Sequence, residues 1–305
     1  MTLPVSLAVF AVALAWQASA QLIPARQPVE SSPGRRSYVF KRTPQGELKL
    51  DVFLPDGWAA GQKRPAILML FGGGFTGGSP GQFESKAQYL AGRGMVAITP
   101  EYRIRNKHQT APDKSMEDAR SAIRWVRMNA QALGVDPARV AGSGGSAGGT
   151  CVSIAALSDA FEAEGEDRSV SSKPDALVLY NPALLVPGPK GEERAAEAKL
   201  LGAWTVRKGS PPMILFFGSQ DKWLEGGREV ARRSAALGNR AELHVAPGVG
   251  HGFFNDSRSA KNGVPGWHEA VLFETDVFLT SLGYLAGPPA IRPSLKLQRQ
   301  DPLKQ

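Results

Sequence analysis

Residues 142–149 read GSGGSAGG: five glycines, two serines and one alanine. Glycine inside a helix or strand costs roughly 0.5–1 kcal/mol relative to alanine, which argues against this octet lying within either. Regular-looking sequence flanks it. Residues 140–142 form a short apolar run expected of a buried strand, and small and apolar residues from Ala147 onward read as a helix. The octet is therefore a strand-to-helix turn where the two elements approach closely. Gly144-Gly145-Ser146-Ala147-Gly148 fits the nucleophile elbow G-x-S-x-G, in which a serine sits on a strained bend with its hydroxyl exposed. Ser143 fits a relaxed version. Ser146 is preferred, because glycines flank it in the motif and the helix follows directly. At a helix N-terminus, backbone N–H groups favour developing negative charge. The other reading, a phosphate-binding loop, wants the lysine of G-x-x-x-x-G-K-[ST], which is absent.

The surrounding pattern limits the fold. Residues 38–40 and 48–54 flank Gln45-Gly46 and predict a hairpin. Short continuous apolar runs at 65–71, 95–99, 140–142, 176–180 and 213–217, with 242–245, are expected of strands buried on both faces. Helical patterns separate them at 84–92, 115–133, 147–157, 226–237 and 268–282. The clearest has apolar residues at Met116, Ala119, Ile123, Val126, Ala130 and Leu133, one helix face. Ser115 with Asp118 predicts a capping start and Gly134 a stop. Strands alternating with helices imply a mostly parallel twisted sheet of about eight strands with helices on both faces. Residues 158–208 are polar, charge-rich and irregular, and read as insertions rather than a domain.

A serine nucleophile needs a base, an acid to orient it, and donors for an oxyanion. Of the four histidines, His108 precedes the serine, His244 lies in a strand-like run and His268 opens the last helix. His251 sits in a loop after the final strand, from which an imidazole can reach a serine. Asp221 stands just past the strand at 213–217, between Ser146 and His251 in the chain, with Glu225 the runner-up. The oxyanion donors are expected from backbone N–H groups of Gly73 and Gly74, after the strand at 65–71, and of Ala147. Phe75, Trp223, Phe253 and Phe254 flank these positions; the first three are candidate substrate contacts, against the alternative that such aromatics simply cover the core. A triad of this kind calls for no metal or organic cofactor.

The termini and the charge fill in the organisation. Residues 1–20 end in Ala18-Ser19-Ala20 after an apolar run from Leu3 to Trp16. The run is short for a membrane span and reads as a cleavable signal peptide, so an exported protein (periplasmic or extracellular) without stable membrane insertion is expected. An uncleaved anchor is the alternative. Residues 21–36 read as a leader linker, 37–286 as the folded domain, and 287–305 as a disordered basic tail. The net charge is +8, but the basic residues are scattered and no nucleic-acid motif accompanies them. The one cysteine, Cys151, excludes an internal disulfide and reads as a buried structural thiol.

Together, FGGGFTGGSP (71–80), TPEYR (99–103), DARSAIRWVR (118–127), GGSAGG (144–149), SQDKW (219–223) and GHGFFN (250–255) resemble α/β-hydrolase fold esterases of the acetyl esterase/lipase type. These are related to hormone-sensitive-lipase-like carboxylesterases and to feruloyl- and acetylxylan-esterase-like domains. The resemblance runs from about Tyr38 to Leu285. It implies an α/β-hydrolase fold, a triad of Ser146, Asp221 and His251, and a small-molecule or polysaccharide ester as substrate, with short acyl chains and acetyl or feruloyl groups as candidates. The family usually carries His-Gly-Gly-Gly, and here Phe71 replaces the histidine that normally braces the loop. Two other readings are a serine peptidase of the same fold and a binding protein that has lost catalysis.

Overall fold

A computed structural model describes residues 20–25, 27–185, 200–258 and 262–304. The signal-peptide reading falls on residues outside these, Ala20 excepted. One sheet of eleven strands organises the chain, in the order β1-β3-β4-β6-β5-β7-β8-β9-β10-β11, with β2 paired to β3. Its centre is the six-stranded parallel array β6 (Val96–Pro100), β5 (Arg64–Leu70), β7 (Val135–Gly145), β8 (Ala176–Tyr180), β9 (Met213–Gly218) and β10 (Ala241–Ala246). The hairpin β3 (Arg35–Thr43) and β4 (Gly46–Phe53) adds antiparallel to β6. These eight are the strands expected from sequence. β1 (Gln21–Leu22), β2 (Glu30–Ser32) and β11 (Gln298–Gln300) are short additions at the two edges.

Alternate residues of each central strand serve opposite faces. Ala66, Leu68 and Leu70 join one apolar cluster with Met116, Ile123, Cys151, Val152 and Val230, from helices α3 (Pro112–Met128), α5 (Ala147–Leu157) and α6 (Leu224–Ala236). Ile67 and Met69 join the other with Ala87, Leu90, Trp267, Val271 and Phe278, from α1 (Glu84–Gly92) and α7 (Trp267–Ser281). Burial on both faces explains why these strands read as unbroken apolar runs. Among the described residues, no helix is long and apolar enough to cross a membrane.

Several expectations are corrected. The long helix begins at Pro112, earlier than the capping pattern suggested, because proline presets the first helical turn. Ser115 consequently lies inside α3, and its hydroxyl donates to Arg103 O at 2.7 Å. The helix breaks at Asn129, resumes as α4 (Ala130–Leu133), and stops at Gly134 with φ 65° as expected. The leader at 21–36 is structured through β1 and β2. The basic tail is not disordered where it is described: β11 pairs antiparallel with β10, Arg299 reaches Glu242 at 3.7 Å, and Ala290 N donates to Tyr89 Oη at 3.2 Å. Its charge misled, since Arg299 alternates with residues that complete an edge strand. The described part of the irregular segment is also anchored. Glu162 accepts from Arg120 at 2.9 Å and from Arg124 at 2.6 Å, drawing the loop after α5 onto α3.

Candidate active site

Each glycine of the octet has a neighbour that explains it. β7 runs through to Gly145, beyond the expected end, because these glycines lie in a crowded sheet rather than a free loop. A Cβ at Gly142 would stand 2.5 Å from Val152, at Gly144 2.6 Å from Gly148, at Gly145 2.4 Å from the Phe254 ring, and at Gly148 2.2 Å from Leu70 O. No side chain fits at such separations. The strand therefore turns directly into α5, and Ser146 takes the bend with φ 48° and ψ −120°. A non-glycine residue there costs on the order of 1–3 kcal/mol, and such strain clusters where function needs it. Ser143 is fully buried in β7 and its hydroxyl has no partner among the described residues.

Consecutive strand ends bring the other groups to Ser146. β9 ends at Gly218, and the following turn carries Asp221, whose carboxylate is buried and accepts from Trp223 N at 2.9 Å. β10 ends at Ala246, and the following loop carries His251. The two loops are tied together: Gln220 N donates to Val249 O at 3.0 Å and Gly248 N to Ser219 Oγ at 2.9 Å. His251 Nδ1 lies 2.8 Å from Asp221 Oδ2, and His251 Nε2 lies 2.8 Å from Ser146 Oγ. An ionised carboxylate only accepts, so Nδ1 carries the proton and donates. Nε2 is then the acceptor, and the Ser146 hydroxyl donates to it. The rival residues are engaged elsewhere. Glu225 pairs with Arg228, His108 accepts from Ile104 N, His244 contacts Glu242, and His268 contacts Lys86.

Gly72 packs directly under the serine, since a Cβ on it would stand 3.2 Å from Ser146 Cβ. Gly73 has φ 128° and Gly74 has φ 62°, conformations that free these N–H groups from the strand. Gly73, Gly74 and Ala147 N–H have no protein acceptor among the described residues. The bracing expected of a histidine at position 71 comes from other groups. The Phe71 ring stacks on Tyr102 at 4.1 Å between centroids, and Tyr102 Oη donates to Phe71 O at 2.6 Å. Gln82 Oε1 accepts from Gly72 N at 2.6 Å, while Gln82 Nε2 donates to Asn255 Oδ1 at 2.9 Å, linking this loop to the histidine loop. Arg105 N and Asn106 N donate to Phe75 O and Thr76 O.

Of the aromatic candidates, Phe75 and Trp223 are partly exposed, and Phe75 holds a left-handed φ of 60°. Phe253 is not available to a substrate. It is fully buried against Phe254 and Trp267, because the loop's aromatic pair turns inward to cover β8 and α7. Sequence reasoning passed over Tyr102, Gln82, Asn181 and Lys86. Asn181 follows β8, is fully buried, and places Nδ2 3.2 Å and 3.3 Å from the two ring nitrogens of His251.

Lys86 is also buried, and Nζ donates to Phe254 O at 2.9 Å and reaches His268 Nδ1 at 2.8 Å. Burial pushes its ammonium down to about 7, against opposing attraction from Asp256 and Glu269. Burial, and then Lys86, pushes His268 down to about 4. From about pH 7 up to the ordinary lysine value of 10.5, the unfolded chain holds a Lys86 proton that the folded chain releases. Stability gained from this group therefore rises with pH across that window. Denaturant midpoints measured through the window should climb in the parent protein, and Lys86→Met should flatten the climb. Among the described residues, no cluster of His, Cys, Asp and Glu could hold a metal ion.

Comparison with known proteins bears on this arrangement. The family model described as BD-FAE matches residues 50–179. The structure titled Thermogutta terrifontis esterase 2 phosphorylated by paraoxon is 37% identical, with a TM-score of 0.75, covering 84% of this chain and 97% of that one. The propionate-bound esterase from the same organism gives 37% identity and a TM-score of 0.77 over the same shares. Esterase B1 of Culex pipiens is 31% identical over 137 residues, 42% of this chain and 25% of that protein. The chain spans about a quarter to a third of the length of such curated relatives.

Proposed function

The chain belongs to the α/β-hydrolase esterases, and from that premise we propose that it hydrolyses short-acyl carboxylic esters through a serine acyl-enzyme. Ser146 Oγ attacks the ester carbonyl while His251 Nε2 takes its proton. Asp221 holds the imidazole in the required tautomer and stabilises the imidazolium. The oxyanion is received by Gly73, Gly74 and Ala147 N–H. Removal of one such donor typically costs about 10²–10³ in rate. His251 then protonates the departing alcohol, and water repeats the sequence on the acyl-enzyme. The observation that carries this reading is the pair of 2.8 Å contacts ending on a serine held at φ 48°.

The short-acyl preference rests on two supports. The related Thermogutta esterase is described with propionate and with butyrate bound, and Phe75 on the glycine-rich loop and Trp223 on the acid loop are partly exposed aromatics here. Acetyl groups on polysaccharide are the substrate we favour within that class. The apolar run before Ala18-Ser19-Ala20 supports export. Incubation with paraoxon followed by peptide mass analysis tests the core of the proposal. A single diethylphosphoryl adduct on the Ser146 peptide is expected, with turnover of acetate and butyrate esters lost in proportion. Full retention of turnover after incubation would refute the serine mechanism. Faster turnover of long-chain than of short-chain esters would refute the acyl preference.

A further inference from the structure

We infer that Asn181 is a positioning residue for the general base, acting as a wall that fixes the rotation of the His251 imidazole. The inference rests on the reading of Ser146, His251 and Asp221 as the reacting set. Its starting point is topology. β7, β8 and β9 are adjacent parallel strands, and their ends carry Ser146, Asn181 and Asp221 in that order. Asn181 thus stands between nucleophile and acid, under the place where His251 enters from beyond β10.

Three observations point to a role beyond filling space. First, Asn181 Nδ2 is 3.2 Å from Nδ1 and 3.3 Å from Nε2 of His251. An atom in the ring plane and equidistant from both nitrogens at this range would collide with Cε1, so the amide lies over the ring face. The in-plane positions of both nitrogens are already used by Asp221 and Ser146. Second, Asn181 Oδ1 accepts from Gly252 N at 3.3 Å, the residue after the histidine. Gly250 and Gly252 flank His251, and Gly252 has φ 87°, so the loop's own backbone restrains the ring little. Third, Asn181 is completely buried with φ 38°, a left-handed conformation that asparagine tolerates better than most residues. Its own N–H donates to Phe216 O at 2.7 Å, which fixes the amide to β9.

A half-turn of the imidazole about Cβ–Cγ would break both 2.8 Å contacts at once. The His251 side chain is 36% exposed, so solvent offers no barrier on its open side. The buried carboxamide is the barrier on the other. Its N–H edge faces the ring, and its carbonyl holds the adjacent backbone.

The test is Asn181→Gly, which removes the carboxamide while suiting the left-handed backbone. The expected result is a fall in kcat of about 10- to 100-fold with KM within about threefold, as for a base misplaced by a fraction of an ångström. The low-field proton resonance of the His251 Nδ1–Asp221 hydrogen bond should broaden or vanish. That readout needs no substrate, so its failure is separate from failure of the esterase reading. Wild-type kcat in the variant overturns the inference, as does a reduced kcat with the proton signal as sharp as in the parent. Should the glycine variant not fold, Asn181→Asp has the same shape and keeps an acceptor for Gly252 N–H but presents no N–H to the ring. Wild-type kcat and proton signal there would overturn the inference equally.

Discussion

Ser146→Ala should lower turnover of a short acetate or butyrate ester by at least about 10⁴-fold, leaving the fold intact. The size follows from the loss of the nucleophile itself: removal of any triad member leaves only the contribution of oxyanion donors and binding. That residue still exceeds the uncatalysed rate by about 10³–10⁴. The fold survives because alanine suffers no more than serine at φ 48°, and among the described residues the hydroxyl hydrogen-bonds only to His251. The informative partner is Ser143→Ala. Ser143 is three residues away in the same octet, fully buried, with a hydroxyl unpartnered among the described residues. Removing a buried unsatisfied group is neutral or stabilising, so turnover should stay near the parent value and the unfolding midpoint should hold or rise. Initial rates on one ester, measured beside thermal unfolding of both variants, decide the matter. Activity lost in Ser143→Ala but kept in Ser146→Ala would mean that the hydroxyls were assigned the wrong way round, and comparable loss in both that the octet only supports the fold.

The contrast between the two serines also marks how far the sequence could be read. Period and chain order were sufficient for the strands and the major helices, and they singled out Ser146, Asp221 and His251, which the structure brings within hydrogen-bond reach of one another at the strand ends. Direction of a side chain was not accessible. Phe253 and Phe75 both sit beside the proposed catalytic positions in sequence, yet Phe253 packs against Trp267 while Phe75 stays partly exposed. Nothing in Gly-Phe-Phe-Asn says which way the ring turns. Asn181 was invisible for a different reason: its proximity to His251 exists only because β8 lies between β7 and β9. Gln82 and Tyr102 likewise act through contacts whose partners lie 10 and 31 positions away. The tail at 287–305 reads as a solvated basic run, since a three-residue edge strand leaves almost no period to detect. Phe71 looked like a defect from sequence alone. In the structure it is a stacking partner, and the brace comes from Tyr102 and Gln82 instead.

Asp118→Ala should destabilise the protein by about 3–5 kcal/mol, the range for breaking a buried ion pair from one side. Asp118 is wholly buried on α3. Its oxygens accept from Lys41 Nζ at 2.8 Å, Arg103 Nε at 2.7 Å, Arg103 Nη2 at 2.9 Å and Arg103 N at 3.0 Å. Burial alone would raise its pKa, but Lys41 and Arg103 outweigh burial and hold it below the usual carboxylate range. Stability from this group is therefore present above the unfolded carboxylate value and is lost as pH falls through the lower folded one. Lys41 Nζ also lies 3.5 Å from Glu166 and Arg103 Nη2 3.2 Å from Glu117, but those carboxylates are shared with Arg124 and Lys114, so alanine leaves the buried cations one carboxylate short. At about 2–4 °C per kcal/mol for a domain of this size, the unfolding midpoint should fall by roughly 6–20 °C. Arg103 adjoins Tyr102, which braces the loop carrying Gly73, so this cluster supports the site only through the fold. Turnover per folded molecule, measured well below the lowered midpoint, should accordingly stay close to the parent. The triple change Lys41→Met, Arg103→Leu, Asp118→Leu should cost less than Asp118→Ala alone, since no charge is then left unpaired. A single variant as stable as the parent, or a triple variant less stable than the single, would show that water reaches the cluster and that its charges are not held by one another.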